Sequence, residues 1–302
     1  MKIAITGGTG FIGKHLANDL AGRGHQVVVI SRGVYSRGAE TPASEKIAFV
    51  TADVADAAAL AKAFSGCDAI AHCAGTSTED GRQTFEHVHV EGARSAVAAA
   101  KQAGVKKFVL VSYLHVRPDV KSPYHTTKWQ GEQIVKDSGL PYTIIKAGLI
   151  YGQGDHLLHN LGGLFRRLPV FATVGLREKT VRLIAVEDLV AVIRTALLED
   201  RLAGQTVAVV GPEEFPFSTA ARRIAKTMGK PFLLVMPFPV FAQRLLARVS
   251  SMMPRPLISA AQVQMLADGV SLPLPDSRSL PDDLAPKTRF TEEQIRKGLP
   301  GQ

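Results

Sequence analysis

The chain has 302 residues, a formal net charge of +9, 46% apolar and 21% charged positions, and two cysteines, Cys67 and Cys73. This composition describes a folded globular protein of one large or two ordinary domains and excludes a disordered or fibrous chain. Two thiols make neither a disulfide framework nor a zinc site, and a reducing compartment is expected.

The excess charge is uneven: residues 1–214 carry 24 Lys and Arg against 21 Asp and Glu, and residues 215–302 carry 12 against 6. No basic block with interleaved aromatics accompanies it, so no nucleic-acid partner is expected. No apolar run approaches the roughly 20 residues that cross a bilayer. The opening MKIAITGGTGFIG runs into glycines without a cleavage-like site, so a cytoplasmic location is expected.

In chain order, β-rich apolar runs alternate with helical patterns. Strands are expected at 2–6, 26–30, 47–50, 69–72, 106–112, 142–146, 181–184 and 206–209, with helices at 12–23, 57–64, 91–103, 124–138 and 186–199. That alternation predicts βαβ units and a parallel sheet covered on both faces.

The first strand feeds Thr6-Gly7-Gly8-Thr9-Gly10-Phe11-Ile12-Gly13, behind which a helix opens. Glycines at 7, 10 and 13 permit a tight turn, close approach of backbone N–H groups to a pyrophosphate, and close helix packing. Thr9, Phe11 and Ile12 complete this cofactor-binding turn. The second strand ends Ile30-Ser31-Arg32, where an NAD site places an acid for the ribose hydroxyls. Arg32 instead suits a 2′-phosphate, with Ser31 and Arg37 as helpers, so NADP is expected ahead of NAD. Asp53-Val54 after the third strand and Cys73-Ala74-Gly75 after the fourth lie where ligands of open sheets bind, with Asp53 placed to cap a loop or meet an adenine amino group.

Tyr124 and Lys128 share one face of the helix that opens after Ser122-Pro123. A lysine ammonium there favours phenolate and so lowers the tyrosine pKa, readying the phenol for proton exchange with a carbonyl or alcohol. His87 and His89, and Asp155 with His156 and His159, lack a ligand spacing, so no metal is expected and Asp155 reads as a helix N-cap. No Gly-x-Ser-x-Gly elbow occurs. Trp129 is expected to pack.

These motifs, with Gly148-Leu149-Ile150-Tyr151-Gly152, resemble a short-chain dehydrogenase/reductase of the extended or atypical type. The run from Ser122 to Glu132, Gly154-Asp155 and Val186-Glu187-Asp188 resemble the branch holding the nucleotide-binding accessory subunit of respiratory complex I and its bacterial relatives. The resemblance covers roughly the first 210 residues. It implies hydride transfer at a nicotinamide with Tyr124 as acid/base, Lys128 also holding the nicotinamide ribose, and a serine orienting the substrate oxygen. Ser112 is the matching serine, with Ser122 and His115 as substitutes. His89 replaces a common asparagine, and Lys146-Ala147 replaces Arg-Pro.

The expected fold is a Rossmann-type doubly wound parallel α/β sheet with a smaller, mostly helical C-terminal lobe. The cofactor domain is 1–147, completed by about 179–211, and the substrate-binding lobe is 148–178 with 212–302. In that lobe helices at 219–228, 238–251 and 259–267 follow one another between prolines. The apolar stretch 232–249, with Arg244 and Arg248 one turn apart, fits three roles: a greasy substrate pocket, an ordinary lobe helix, or peripheral association with an anionic membrane face. The function expected is an NADP(H)-dependent oxidoreductase of an apolar small-molecule carbonyl or alcohol. The alternatives are a nucleotide-holding structural protein and a nucleotide-sugar epimerase or dehydratase.

Overall fold

A computed structural model of the chain describes residues 1–33, 45–120, 122–239, 260–269, 274 and 276–299. The chain divides into two compact units, the first comprising Met1–Ala147, Leu189–Ala208 and Pro275–Leu284, the second Gly148–Asp188, Val209–Leu274 and Ala285–Gln302.

The first unit is built on one sheet. Its strands are β1 (Lys2–Thr6), β2 (Gln26–Ser31), β3 (Ile47–Thr51), β4 (Ala69–His72), β5 (Lys107–Tyr113), β6 (Tyr142–Ala147), β11 (Gln205–Val209) and β14 (Arg278–Ser279), in the order β14-β11-β6-β5-β4-β1-β2-β3. The run from β3 to β6 is parallel throughout, with Thr6 aligned on Ile30 of β2 and on His72 of β4. Strand order reverses between β1 and β4, and ligands of such sheets bind at the carboxyl ends beside that switch point.

Around the sheet lie α1 (Phe11–Gly22), α2 (Ala57–Phe64), α3 (Gly92–Gln102), α4 (Pro123–Lys136) and most of α6 (Val186–Leu198). Helix α1 buries Leu16, Ala17, Leu20 and Ala21, a helical stripe, and stops at Gly24, whose φ of +92° only glycine adopts readily. Asp56 starts α2 by accepting the Ala59 N–H at 2.9 Å. Ile30, Phe64, Ile70, Phe108 and Ile144 share one core cluster, which fastens sheet to helices.

The helix expected from residue 91 begins earlier, because Glu86–Glu91 forms a π-helical turn in which the Gly92 N–H reaches back to His87 O. Such turns bulge one residue out of register. Here the bulge presses the His89 carbonyl onto α4, where a Cβ on Gly131 would stand 2.6 Å from it.

The second unit holds α5 (His156–Arg167), α7 (Phe217–Thr227), α8 (Ala260–Asp268) and α9 (Glu292–Gly298). It also holds three two-stranded ribbons: β7 (Ile150–Tyr151) with β10 (Ile184–Ala185), β9 (Thr180–Val181) with β12 (Phe215–Pro216), and β8 (Val170–Val174) with β13 (Leu234–Phe238). Its core gathers Tyr151, Phe165, Phe171, Phe215, Phe217 and Phe290, with the Tyr151 ring edge-on to Phe290 at 4.7 Å. Asp155 is the N-cap of α5, its Oδ1 accepting the Leu158 N–H at 2.6 Å.

Two expectations need correction here. The single strand at 181–184 is two short strands with different partners, β9 on β12 and β10 on β7, and between them the Leu183 carbonyl sits so close under Gly211 that any Cβ there would collide with it. Phe238, expected to open a helix, ends β13: residues 234–238 pair with 170–174, and Pro237, lacking an N–H, is tolerated in a two-stranded ribbon. The rest of the helix expected at 238–251, including Arg244 and Arg248, lies outside the described residues apart from Pro239. Among the described residues no helix is long and apolar enough to cross a membrane.

Candidate functional site

Every residue of the expected site that is described lies in the first unit. Gly7, directly after β1, has φ +66°, and a Cβ on it would stand 2.7 Å from Ala74 N, so the turn closes against the end of β4. The Gly10 N–H donates to Gly7 O at 2.9 Å. Gly10 is the N-cap of α1 and has no side chain to cap it. The first-turn N–H groups, at Phe11, Ile12 and Gly13, therefore have no intrahelical partner and remain available to an anion at the positive end of the helix dipole. A Cβ on Gly13 would collide with Gly7 O, which explains glycine at the packing position.

At the end of β2, Ser31 Oγ is buried and has no hydrogen-bond partner among the described residues. Arg32 is exposed. Arg37 lies outside the described residues. Asp53 Oδ1 accepts the Ala55 N–H at 2.9 Å and meets His87 Nε2 at 2.8 Å, while His87 Nδ1 meets Glu91 Oε2 at 2.8 Å. Partial burial alone would raise the Asp53 carboxyl, but the Ala55 N–H, His87 and the Arg32 charge outweigh it and hold it below the usual range. Asp53 thus does cap its loop. Val54 packs against Gly92, where a Cβ would stand 3.0 Å from its nearer methyl.

Helix α4 begins with Pro123 at its first turn and Ser122 as an N-cap whose hydroxyl makes no capping bond. One turn separates Tyr124 from Lys128, whose ammonium lies 5.9 Å from the Tyr124 ring centroid and 3.5 Å from Val111 O. A Cβ on Gly75 would stand 3.5 Å from that ammonium, so the end of β4 and the α4 lysine face one space. Burial brings Lys128 down to about 8. It pushes the Tyr124 phenol above its ordinary value instead of lowering it, so the chain's own groups hold Tyr124 protonated at neutral pH. The expected phenolate is corrected on this point: desolvation outweighs an ammonium 5.9 Å from the ring centroid. Phe85, His89, Tyr113 and His125 surround the phenol with ring centroids 5.3 to 6.0 Å away.

His89 joins three elements. Its Nε2 accepts the Thr76 N–H at 3.3 Å, and its Nδ1 lies 3.0 Å from Thr127 Oγ1, whose own proton goes to Pro123 O at 2.8 Å. The ring therefore carries its proton on Nδ1. Burial and the Lys128 charge drop its pKa to about 2, so it is neutral. It ties the Gly75-Thr76 loop to the start of α4.

The Ser112 hydroxyl donates to Glu132 Oε1 at 2.5 Å. Glu132 Oε2 lies 3.4 Å from the Lys146 ammonium, which also meets Val116 O at 2.8 Å and Asp276 Oδ2 at 2.5 Å. Glu132 and Lys146 are both 0% exposed. Hydrogen bonding to Glu132 uses the one Ser112 proton, leaving its oxygen able to accept but not to donate elsewhere. Neither the Ser112–Glu132–Lys146–Asp276 chain nor the His89 link was read from the sequence. The marks available there were the departures at 89 and 146, where side chains of different shape and reach replace the usual ones.

The glycine cradle, the uncapped helix start, the unpartnered Ser31 hydroxyl and the open face at Gly75 fit a nicotinamide dinucleotide laid across the switch point. Fold and site together define a dinucleotide-binding α/β protein of the short-chain dehydrogenase/reductase type. The chain belongs to the NAD(P)H-binding family, whose match spans residues 7–157. It is 33% identical over 244 residues to the ceramide reductase of Caulobacter vibrioides, covering 78% of this chain and 74% of that protein. It is 24% identical over 228 residues to the 40 kDa subunit of NADH-ubiquinone oxidoreductase of Neurospora crassa, covering 75% and 60%. An uncharacterised Mycobacterium tuberculosis protein is 30% identical over 234 residues, which are 77% of this chain and 24% of that much longer one. A solved structure of the Bacillus cereus UDP-glucuronic acid 4-epimerase, in complex with UDP-glucuronic acid and NAD, matches with a TM-score of 0.72 at 19% identity, over 98% of this chain and 97% of that one. At that identity the likeness is one of fold.

Proposed function

We propose that the chain is an NADP(H)-dependent oxidoreductase that interconverts a bulky apolar carbonyl and its alcohol, with Tyr124 as the acid/base. The observation that carries this reading is Lys128 facing Gly75, beside the glycine cradle, with Tyr124 one helical turn before it. A reduced nicotinamide, when bound, supplies the hydride. In the reducing direction the carbonyl carbon gains that hydride, and its oxygen takes the phenol proton of Tyr124. Burial keeps that proton in place until the substrate oxygen becomes basic enough to remove it, and the Lys128 ammonium favours the phenolate left behind. Water then returns the proton.

Gly7, Thr9, Gly10, Phe11, Ile12 and Gly13 would hold the pyrophosphate. Ser31 and Arg32 would hold the 2′-phosphate, Asp53 and Val54 the adenine, and Ala74, Gly75 and Lys128 the nicotinamide ribose. Ser112, already donating to Glu132, would orient an alcohol substrate by accepting a hydrogen bond from its hydroxyl. The aromatic ring around Tyr124 and the likeness to a ceramide reductase support an apolar, lipid-like substrate.

Titration of the wild type and Arg32→Ala with NADPH and NADH tests the cofactor assignment. NADPH is expected to bind about tenfold tighter or better to the wild type, the difference being largely lost in the variant, in keeping with a charge-assisted phosphate contact. Equal affinity for the two cofactors in the wild type would overturn it. The likeness to the 40 kDa subunit favours a second reading, a nucleotide-holding protein without turnover. Tight NADPH binding with no oxidation across a broad panel of apolar ketones would select it.

A further inference from the structure

The β8–β13 ribbon of the second unit has an unusual outer face. Leu234 is aligned on Val170, Met236 on Ala172 and Phe238 on Val174, while between them Val235 faces Phe171, which lies in the core. Side chains alternate across a strand, so a ribbon with one wet face would be polar at every second position. Here the outer face is apolar at every position, and the inner face carries Thr173 as its one polar residue. Leu176 is 72% exposed, Phe232 70%, Leu168 56%, Leu234 and Met236 45% each, and Phe238 37%. A contiguous exposed apolar face of this kind marks an interaction surface.

The chain entering and leaving the ribbon is basic. Arg166, Arg167, Arg177 and Lys179 are exposed, and Lys230 donates to the carbonyls of Phe165 and Arg166. The one acid between Arg166 and Lys179 is Glu178, whose carboxylate accepts from the backbone N–H and hydroxyl of Ser218.

We infer that the outer face of the β8–β13 ribbon docks on an anionic lipid surface, with the apolar side chains entering the acyl boundary and the basic rim meeting the headgroups. An apolar face with a same-sign cationic rim is what an anionic bilayer recognises, since both terms then act at one depth. The inference is independent of the cofactor and of Tyr124.

The test is flotation of the full chain with phosphatidylcholine vesicles, with and without phosphatidylglycerol. The wild type is expected to float with the anionic vesicles about tenfold more than with the neutral ones, an advantage that salt erodes. Phe232→Ser combined with Met236→Ser should cut flotation about tenfold, with thermal unfolding unchanged because both sites are exposed. Arg177→Glu with Lys179→Glu should abolish the preference for anionic vesicles without touching the apolar face. Three results would overturn the inference: a wild type that stays with free protein in both vesicle types, an apolar variant that floats as the wild type does, or a vesicle-free dimer by light scattering that the apolar variant dissociates.

Discussion

Lys128 gives the site its pH dependence. With its ammonium titrating at about 8, the cation that favours the Tyr124 phenolate is present at pH 7 and lost as pH rises past 8. Reductase kcat/KM is therefore expected to fall above about pH 8, and Lys128→Arg, whose guanidinium stays charged, should move that alkaline limb upward. A flat profile between pH 7 and 10 would detach Lys128 from the step; pH–rate measurements at saturating NADPH decide it. The same desolvation opposes folding with the ammonium charged: the cost is present below pH 8 and is relieved as pH climbs toward the unfolded value of about 10.4. At this scale the sequence was readable where chemistry is local. Asp155 as a cap and Tyr124 one turn from Lys128 follow from spacing alone. The protonated phenol was not readable, because burial is a property of the folded surroundings, and neither was the Ser112 bond to Glu132, which links residues 20 apart across β5 and α4.

Among the elements, the π-helical turn and α4 approach closely enough to set a steric limit. Gly131→Ala would gain up to about 1 kcal/mol of helix propensity. It would also place a Cβ 2.6 Å from the His89 carbonyl, a backbone atom that cannot swing aside. The clash should win, destabilising by about 1–3 kcal/mol and disturbing the His89 link to Thr76 and Thr127. Gly163→Ala on α5 is the matched control. Nothing lies within 4 Å of its added Cβ, and it should stabilise by about 0.5–1 kcal/mol. Chemical denaturation of both variants checks the pair, and destabilisation of similar size in the two would remove the contact explanation. Strands β1 to β6 and helices α1, α2, α4 and α6 were legible to within two residues, because apolar runs bounded by glycines report a sheet buried on both faces. The β8–β13 ribbon was hidden for the complementary reason: apolar everywhere but at Thr173, it shows no alternation, and its prolines read as joins.

For the whole chain, the +9 charge is uneven in a way the structure makes sense of. The first unit spends its basic residues locally, with Arg194 paired to Asp19 at 2.8 Å and the fully buried Lys146 held by Glu132 and by Asp276, 130 residues further on. Removing Lys146 would leave Glu132 buried without its counter-charge, so this chain fastens a late segment to β6 as part of the cofactor unit. The second unit keeps exposed basic residues, Arg177 and Lys179 among them, beside its apolar ribbon. The nucleotide-binding family was legible because its signals are short and lie within the first 152 residues. The substrate was not, because no motif in the sequence carries a substrate's chemistry as the glycine turn carries that of a dinucleotide. Whether Tyr124 works or is merely inherited is settled by one comparison: NADPH affinity and ketone turnover of the wild type against Tyr124→Phe. Turnover should fall by about a hundredfold or more on loss of the proton donor while NADPH affinity changes by less than about twofold. Turnover equal to the wild type's, with NADPH still bound, would contradict the account.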